Sequence, residues 1–164
     1  MLLKHQIFRL ITLLTGVVAL PAYALDSVCE QFLAAAEKTA RQPARQSVMD
    51  LGGGQRMEAI VDDDVLYAKI EGKWRRIKSG FWADERALLA DMRKGSIKLE
   101  HCKQLGSETV DGIATTIVGY TMTMPGTAAV SNKVYIGKDG LLYAQSGPNT
   151  KVRYRYQDVT APKL

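Results

Sequence analysis

Apolar residues recur at helical spacing from Ser27 to about Arg41, where Val28, Phe32, Leu33 and Ala36 fall on one face of "SVCEQFLAAAEKTAR". Ser27 followed by Glu30 reads as a capping box. Gln42-Pro43 ends the helix, because a residue that precedes proline is pushed out of the helical region. The period then drops to two. Turn signals at Gly52–Gly54, Asp62–Asp64 and Glu71-Gly72 divide the next stretch into short strands. Leu66, Ala68 and Ile70 share a face of "VLYAKI", and "KWRRI" pairs back on it as a hairpin. Helical spacing returns in "FWADERALLADMRKG", with Phe81, Trp82, Leu88, Leu89 and Met92 as an apolar stripe and Gly95 as the stop. Such a stripe is either plain core packing or a lid over a ligand. Beyond Cys102 the pattern alternates again in "GIATTIVGYTMTM", "NKVYI", "LLYAQS" and "KVRYRYQDV", four strands separated by Pro and Gly turns. Helix, strands, helix, four strands predicts an α+β domain: an antiparallel sheet with its helices segregated to one face.

The first residues read as an address. Lys4, His5 and Arg9 precede an apolar run from Leu10 to Leu20, followed by the small-x-small site "PAYA" before Leu25. The run is well short of the ~20 residues that a spanning helix needs, so residues 1–24 are expected to be a cleaved signal peptide. Residues 25–164 are then one domain, exported to a periplasm or beyond, with no stable membrane insertion. No cysteine stands at the cleavage point to carry a lipid anchor.

Export changes how the cysteines are read. Cys29 and Cys102 are the only two, and in an oxidising compartment one disulfide is the simplest expectation. A zinc site would need more ligands than the single histidine of the mature chain supplies, and a reactive thiol would need neighbours that lower its pKa. With 22 basic and 17 acidic residues the chain is mildly basic, but the basic residues are scattered. "KVRYRY" reads as a strand with Val152, Tyr154 and Tyr156 on one face and solvated Lys151, Arg153 and Arg155 on the other. Stacking on nucleic acid is not expected. "DDD" lacks the spaced ligands of a calcium loop, "GGGQ" lacks the lysine and hydroxyl of a phosphate loop, and no G-x-S-x-G occurs. His101 reads as a surface or sheet-edge residue. No enzyme, cofactor or metal site is expected.

The order of these elements resembles the periplasmic lipoprotein-carrier superfamily, the LolA/LolB-like proteins. The resemblance rests on the first helix, the strand pair ending in "KWRRI", the lid-like helix, and the pattern "GSETVDGIATTIVGYTM…KVYIGKDGLLYAQSG…KVRYRYQDV". It implies a strongly curved antiparallel sheet, an incomplete barrel whose concave face is covered by helices and encloses a cavity for acyl chains or another apolar partner. On that reading Thr115, Thr121 and Thr123 face outward. Phe32, Leu33, Trp82, Leu88, Leu89, Met92, Val118, Tyr120, Met122 and Met124 line the cavity, where unbranched methionines adapt to an irregular ligand. The other reading of these side chains is an ordinary filled core. Arg45 is the nearest counterpart, by order along the chain, of the functional arginine of the carriers, although no local motif fixes it.

Two functions are compatible with this pattern. One is a periplasmic binding or carrier protein that shields a lipid or other apolar ligand. The other is an envelope interaction module, an inhibitor or assembly accessory, that meets a protein partner through Tyr154, Tyr156 and the flanking arginines. A space of ~300 Å³ or more between sheet and helices, the size of small-ligand sites, favours the first.

Overall fold

The computed structural model describes residues 25–77 and 81–164, the side chains of 81–83 excepted. The segment expected to be the signal peptide therefore lies outside the described residues. The elements are α1 (Ser27–Ala40), β1 (Ala44–Asp50), β2 (Arg56–Asp62), β3 (Val65–Ile70), β4 (Lys73–Ile77), α2 (Phe81–Lys94), β5 (Lys98–Val110), β6 (Ile113–Thr123), β7 (Val130–Gly137), β8 (Leu142–Ser146) and β9 (Lys151–Arg155). The nine strands form one antiparallel sheet in the order β4-β3-β2-β1-β9-β8-β7-β6-β5. The sheet curves without closing into a barrel, and both helices lie on its concave face. This is the α+β arrangement expected.

The hairpins form where turn chemistry demands them. Asp63-Asp64, Glu71-Gly72 and Asp111-Gly112 all have positive φ at both positions, the two-residue geometry whose twist matches that of the flanking strands. The acidic run is thus a turn. α1 starts one residue earlier than its serine suggests: Asp26 is the cap, its carboxylate accepting from the Val28 and Cys29 amides at 2.9 and 2.8 Å. Gly95, at φ 79°, stops α2 as expected, its amide donating to the Met92 carbonyl at 3.1 Å.

Five strands follow α2, not four. The additional strand, β5, is almost wholly exposed and forms one edge of the sheet. Its pairing with β6 shifts register twice, between Glu100 and Lys103 and between Gln104 and Gly106, so its side chains show no clean period of two. His101, exposed and at φ 55°, sits at the first shift, a sheet-edge position as expected. The disulfide joins Cys29 in the first turn of α1 to Cys102 on β5, with Cα atoms 5.2 Å apart.

The main core lies between α1, the inward edge of α2 and the concave sheet face. Leu33 and Val118 are fully enclosed, and Phe32 stacks on Tyr120 with ring centroids 4.3 Å apart. A second, smaller cluster lies on the opposite face: Val110, Tyr135 and Ala144, packed with Ile117 and Tyr143. Thr115 faces that side too. It is buried there, and its hydroxyl donates to the Glu108 carbonyl at 2.6 Å.

Candidate functional site

The residues expected to line a cavity fall into three groups. Phe32, Leu33, Leu89, Met92, Val118 and Tyr120 belong to one buried cluster, and Met122 is half-buried against it. Leu88 and Met124 are exposed, at 40% each. Leu88 is turned out because the inward face of α2 carries Glu85, Leu89 and Met92, one helical stripe with Glu85 meeting Arg45. Met124 has left the strand: it lies in the turn at Pro125-Gly126, where its carbonyl accepts from the Thr127 amide and hydroxyl, at 3.1 Å each. The side chain of Trp82 lies outside the described residues.

A groove of about 650 Å³ runs instead along the other flank of α1, between that helix and the sheet. Ala34, Ala35 and Lys38 supply the helical wall, and Ala114, Thr116 and Ile136 supply the floor from β6 and β7. Ala35 and Ile136 also belong to the buried cluster, so the groove shares its inner wall with the core that holds Phe32 and Val118. One end is closed where the Lys38 ammonium donates to the carbonyl of Asp139, in the turn between β7 and β8. Lys138 lies at the same end, and among the described residues no carboxylate-bearing one lines the groove. The turn is tight: a Cβ on Gly137 would meet Tyr143 at 2.5 Å and Asp139 at 2.7 Å.

On its opposite side α1 is clamped to α2. Arg93 of α2 reaches both Glu37 and Glu30 of α1, at 2.8 and 3.1 Å, and these hydrogen bonds, Glu37 first, raise its guanidinium further above the usual range. Arg45 of β1 is buried and holds Glu85 of α2 through both carboxylate oxygens at 2.8 Å, while also donating to the Thr39 carbonyl at 3.3 Å. Farther along the same concave face Met49 stands opposite Met57, and Met57 and Ile70 are exposed, so the helices leave the β1–β4 half partly uncovered.

Tyr120, Tyr154 and Tyr156 lie beneath the helices, and Tyr143 on the outer face meets the Tyr156 ring edge-on. Burial raises the Tyr120, Tyr154 and Tyr156 phenols above their usual range. At Tyr154 the Arg45 charge opposes this and the Glu85 charge adds to it. Tyr143 is pushed up to about 12, by desolvation first and then by the hydrogen bond it donates to Asp139 at 2.8 Å. An unperturbed phenol ionises near ~10. Above that pH the unfolded chain loses protons that the folded chain keeps, so stability is full below ~pH 10 and falls as pH rises beyond it. An absorbance titration of tyrosinate is expected to show a late fraction that ionises only with unfolding. Titration of every tyrosine near ~10 in the folded protein would contradict these environments.

No protein-family model matches the sequence, and no curated protein is similar to it in sequence. Solved structures do match in fold. LprF from Mycobacterium bovis aligns with a TM-score of 0.53 at 12% identity, over 83% of this chain and 96% of that one. The lipoprotein LppX from Mycobacterium tuberculosis aligns with a TM-score of 0.54 at 14% identity, over 86% and 99%. The chain shares the overall fold of these two proteins. Among the described residues, no helix is long and apolar enough to cross a membrane.

The groove is not legible in the sequence because its wall is made of small residues. Ala34 and Lys38 lie on the face of α1 that reads as solvated, and Ala114 and Thr116 give no hydrophobic signal. The run "LAAAE" was the one available hint, since a helix presenting alanines outward allows another chain to approach its backbone closely.

Proposed function

We propose that this chain is an exported binding or carrier-type protein that shields the apolar part of a lipid or similar amphiphile in the groove between α1 and β6–β7. The observation that carries this reading is the groove itself. Its volume of about 650 Å³ is in the range of small-ligand sites, and its lining is mainly apolar, from the methyl groups of Ala34, Ala35 and Ala114 and the side chain of Ile136. An acyl chain laid there would exchange water for these surfaces at ~25 cal/mol per Å² of apolar area. Lys38 and Lys138 at the closed end suit an anionic head. The core residues Phe32, Leu33, Val118 and Tyr120 back this wall, and a deeper ligand would have to part α1 from the sheet. The fold shared with a mycobacterial lipoprotein is compatible with such a role.

Protein purified from the periplasmic fraction without detergent is expected to release lipid on extraction, read by mass spectrometry, and to take up a fluorescent fatty acid. Ala114→Trp, which fills the floor, should weaken that uptake by about tenfold, whereas Ala90→Trp, on the exposed side of α2, should leave it unchanged. Absence of both extractable lipid and fatty-acid uptake would remove the proposal.

A further inference from the structure

The open sheet has two edges, and they are not alike. β5 is blunted by two register shifts and tied to α1 through Cys102, devices that keep an edge from accepting another strand. β4 has neither. It pairs with β3 in unbroken register from Leu66↔Ile77 to Ile70↔Lys73, and β3 is its only strand neighbour among the described residues. Alternate backbone N–H and C=O groups along its free side therefore point away from the sheet.

The side chains on this edge carry one sign of charge. Lys73, Arg75 and Arg76 are exposed, and among the described residues none of them has a carboxylate partner. Arg75 shares the concave face with Ala68, and Arg76, opposite Tyr67, projects from the outer face. The cations thus flank the edge on both sides. Lys69 on β3 is already engaged, 3.7 Å from Glu58 and over the Trp74 ring at 5.8 Å. A second copy of this chain would bring like charges together, strand against strand.

We propose that β4 is a docking edge for an acidic, extended segment of a partner protein, which adds to the sheet as a further strand. Backbone hydrogen bonds supply the register, and carboxylates on both faces of the incoming strand pair with Arg75 and Arg76. This surface is separate from the groove along α1, and it gives the protein a partner as well as a ligand.

The test uses the whole mature chain and a blocked peptide of about twelve residues built of Glu-Glu-Thr-Thr repeats, which carries carboxylates on both faces and is long enough to span β4 at ~3.3 Å per residue. Binding should shift backbone amide resonances at 73–77 and slow their hydrogen exchange. It should weaken with salt and fall about tenfold in the Arg75→Glu/Arg76→Glu variant, whose thermal melt confirms that it folds. The same peptide with alternate amides N-methylated keeps its charge but not its donors, and should bind about tenfold more weakly. Equal binding of the N-methylated peptide or of one with Lys in place of every Glu would overturn strand addition. So would binding to anionic vesicles with none to the peptide, or no binding at all, in which case the cations only guard the edge. Fatty-acid uptake measured on the same sample separates this result from the fate of the groove.

Discussion

Phe32→Ala is expected to destabilise the protein by about 3–5 kcal/mol, the cost of removing a buried aromatic side chain from a site that cannot collapse. Phe32 is enclosed between α1 and the sheet, and its ring lies nearly parallel to Tyr120, with an interplanar angle of 17°. Beyond buried area, such a pair contributes a further ~0.5–1.5 kcal/mol. The helix on one side is fixed by the Thr39 hydroxyl, which accepts from the Leu142 amide at 3.0 Å, and by the Tyr156 hydroxyl 3.4 Å away, which donates to the Leu142 carbonyl. With its C-terminal turn pinned to β8, α1 cannot sink into the space vacated. Urea denaturation measures the loss. A loss below about 1 kcal/mol would mean that the cluster around Phe32 is loosely filled, and that the ligand space extends into it.

Replacing both cysteines by serine, or reducing the bond, is expected to remove about 4 kcal/mol, because the bridge closes a long loop in the unfolded chain. The sequence separation of 73 residues puts it near the upper part of the range for a single disulfide. For a domain of this size the thermal midpoint should fall by about 10–20 °C. The structural consequence is local as well: β5 is held to the molecule by β6 on one side and by Cys29 on the other, and loss of the bond frees an exposed edge. Calorimetry with and without reductant checks this. An unchanged midpoint would contradict the bond's role in stability.

How much of this could be read in the chain varies with the range of the interaction that decides it. The hairpins at Asp63-Asp64 and Glu71-Gly72 and the stop at Gly95 are set by local backbone preferences, and each was visible in a few letters. The pairing of Cys29 with Cys102 followed from there being two cysteines in a chain expected to be exported. β5 was not visible, since an edge strand wet on both faces has no reason to alternate, and its two register shifts erase what period remained. Leu88 was read as part of an apolar stripe, yet it faces out. The orientation of α2 is decided by Arg45, 40 residues away in sequence, meeting Glu85, and no local pattern encodes that. Thr115 faces outward as expected, but its burial there is not legible, because the sequence does not show the hairpin end of β5–β6 packing a second cluster on the outer face. The groove is the hardest case: it is defined by what small side chains leave open, and alanine gives the same signal whether it faces a ligand or water.

The most direct measurement of the central claim is paramagnetic relaxation in the amide spectrum of residues 25–164 loaded with a fatty acid that carries a nitroxide midway along its chain. Resonances of Ala34, Ala114 and Ile136 are predicted to broaden first, while those of Met57 and Ile70 on the uncovered half of the sheet stay sharp. Broadening centred on Met57 and Ile70, or spread evenly over the surface, would contradict a ligand groove beside α1.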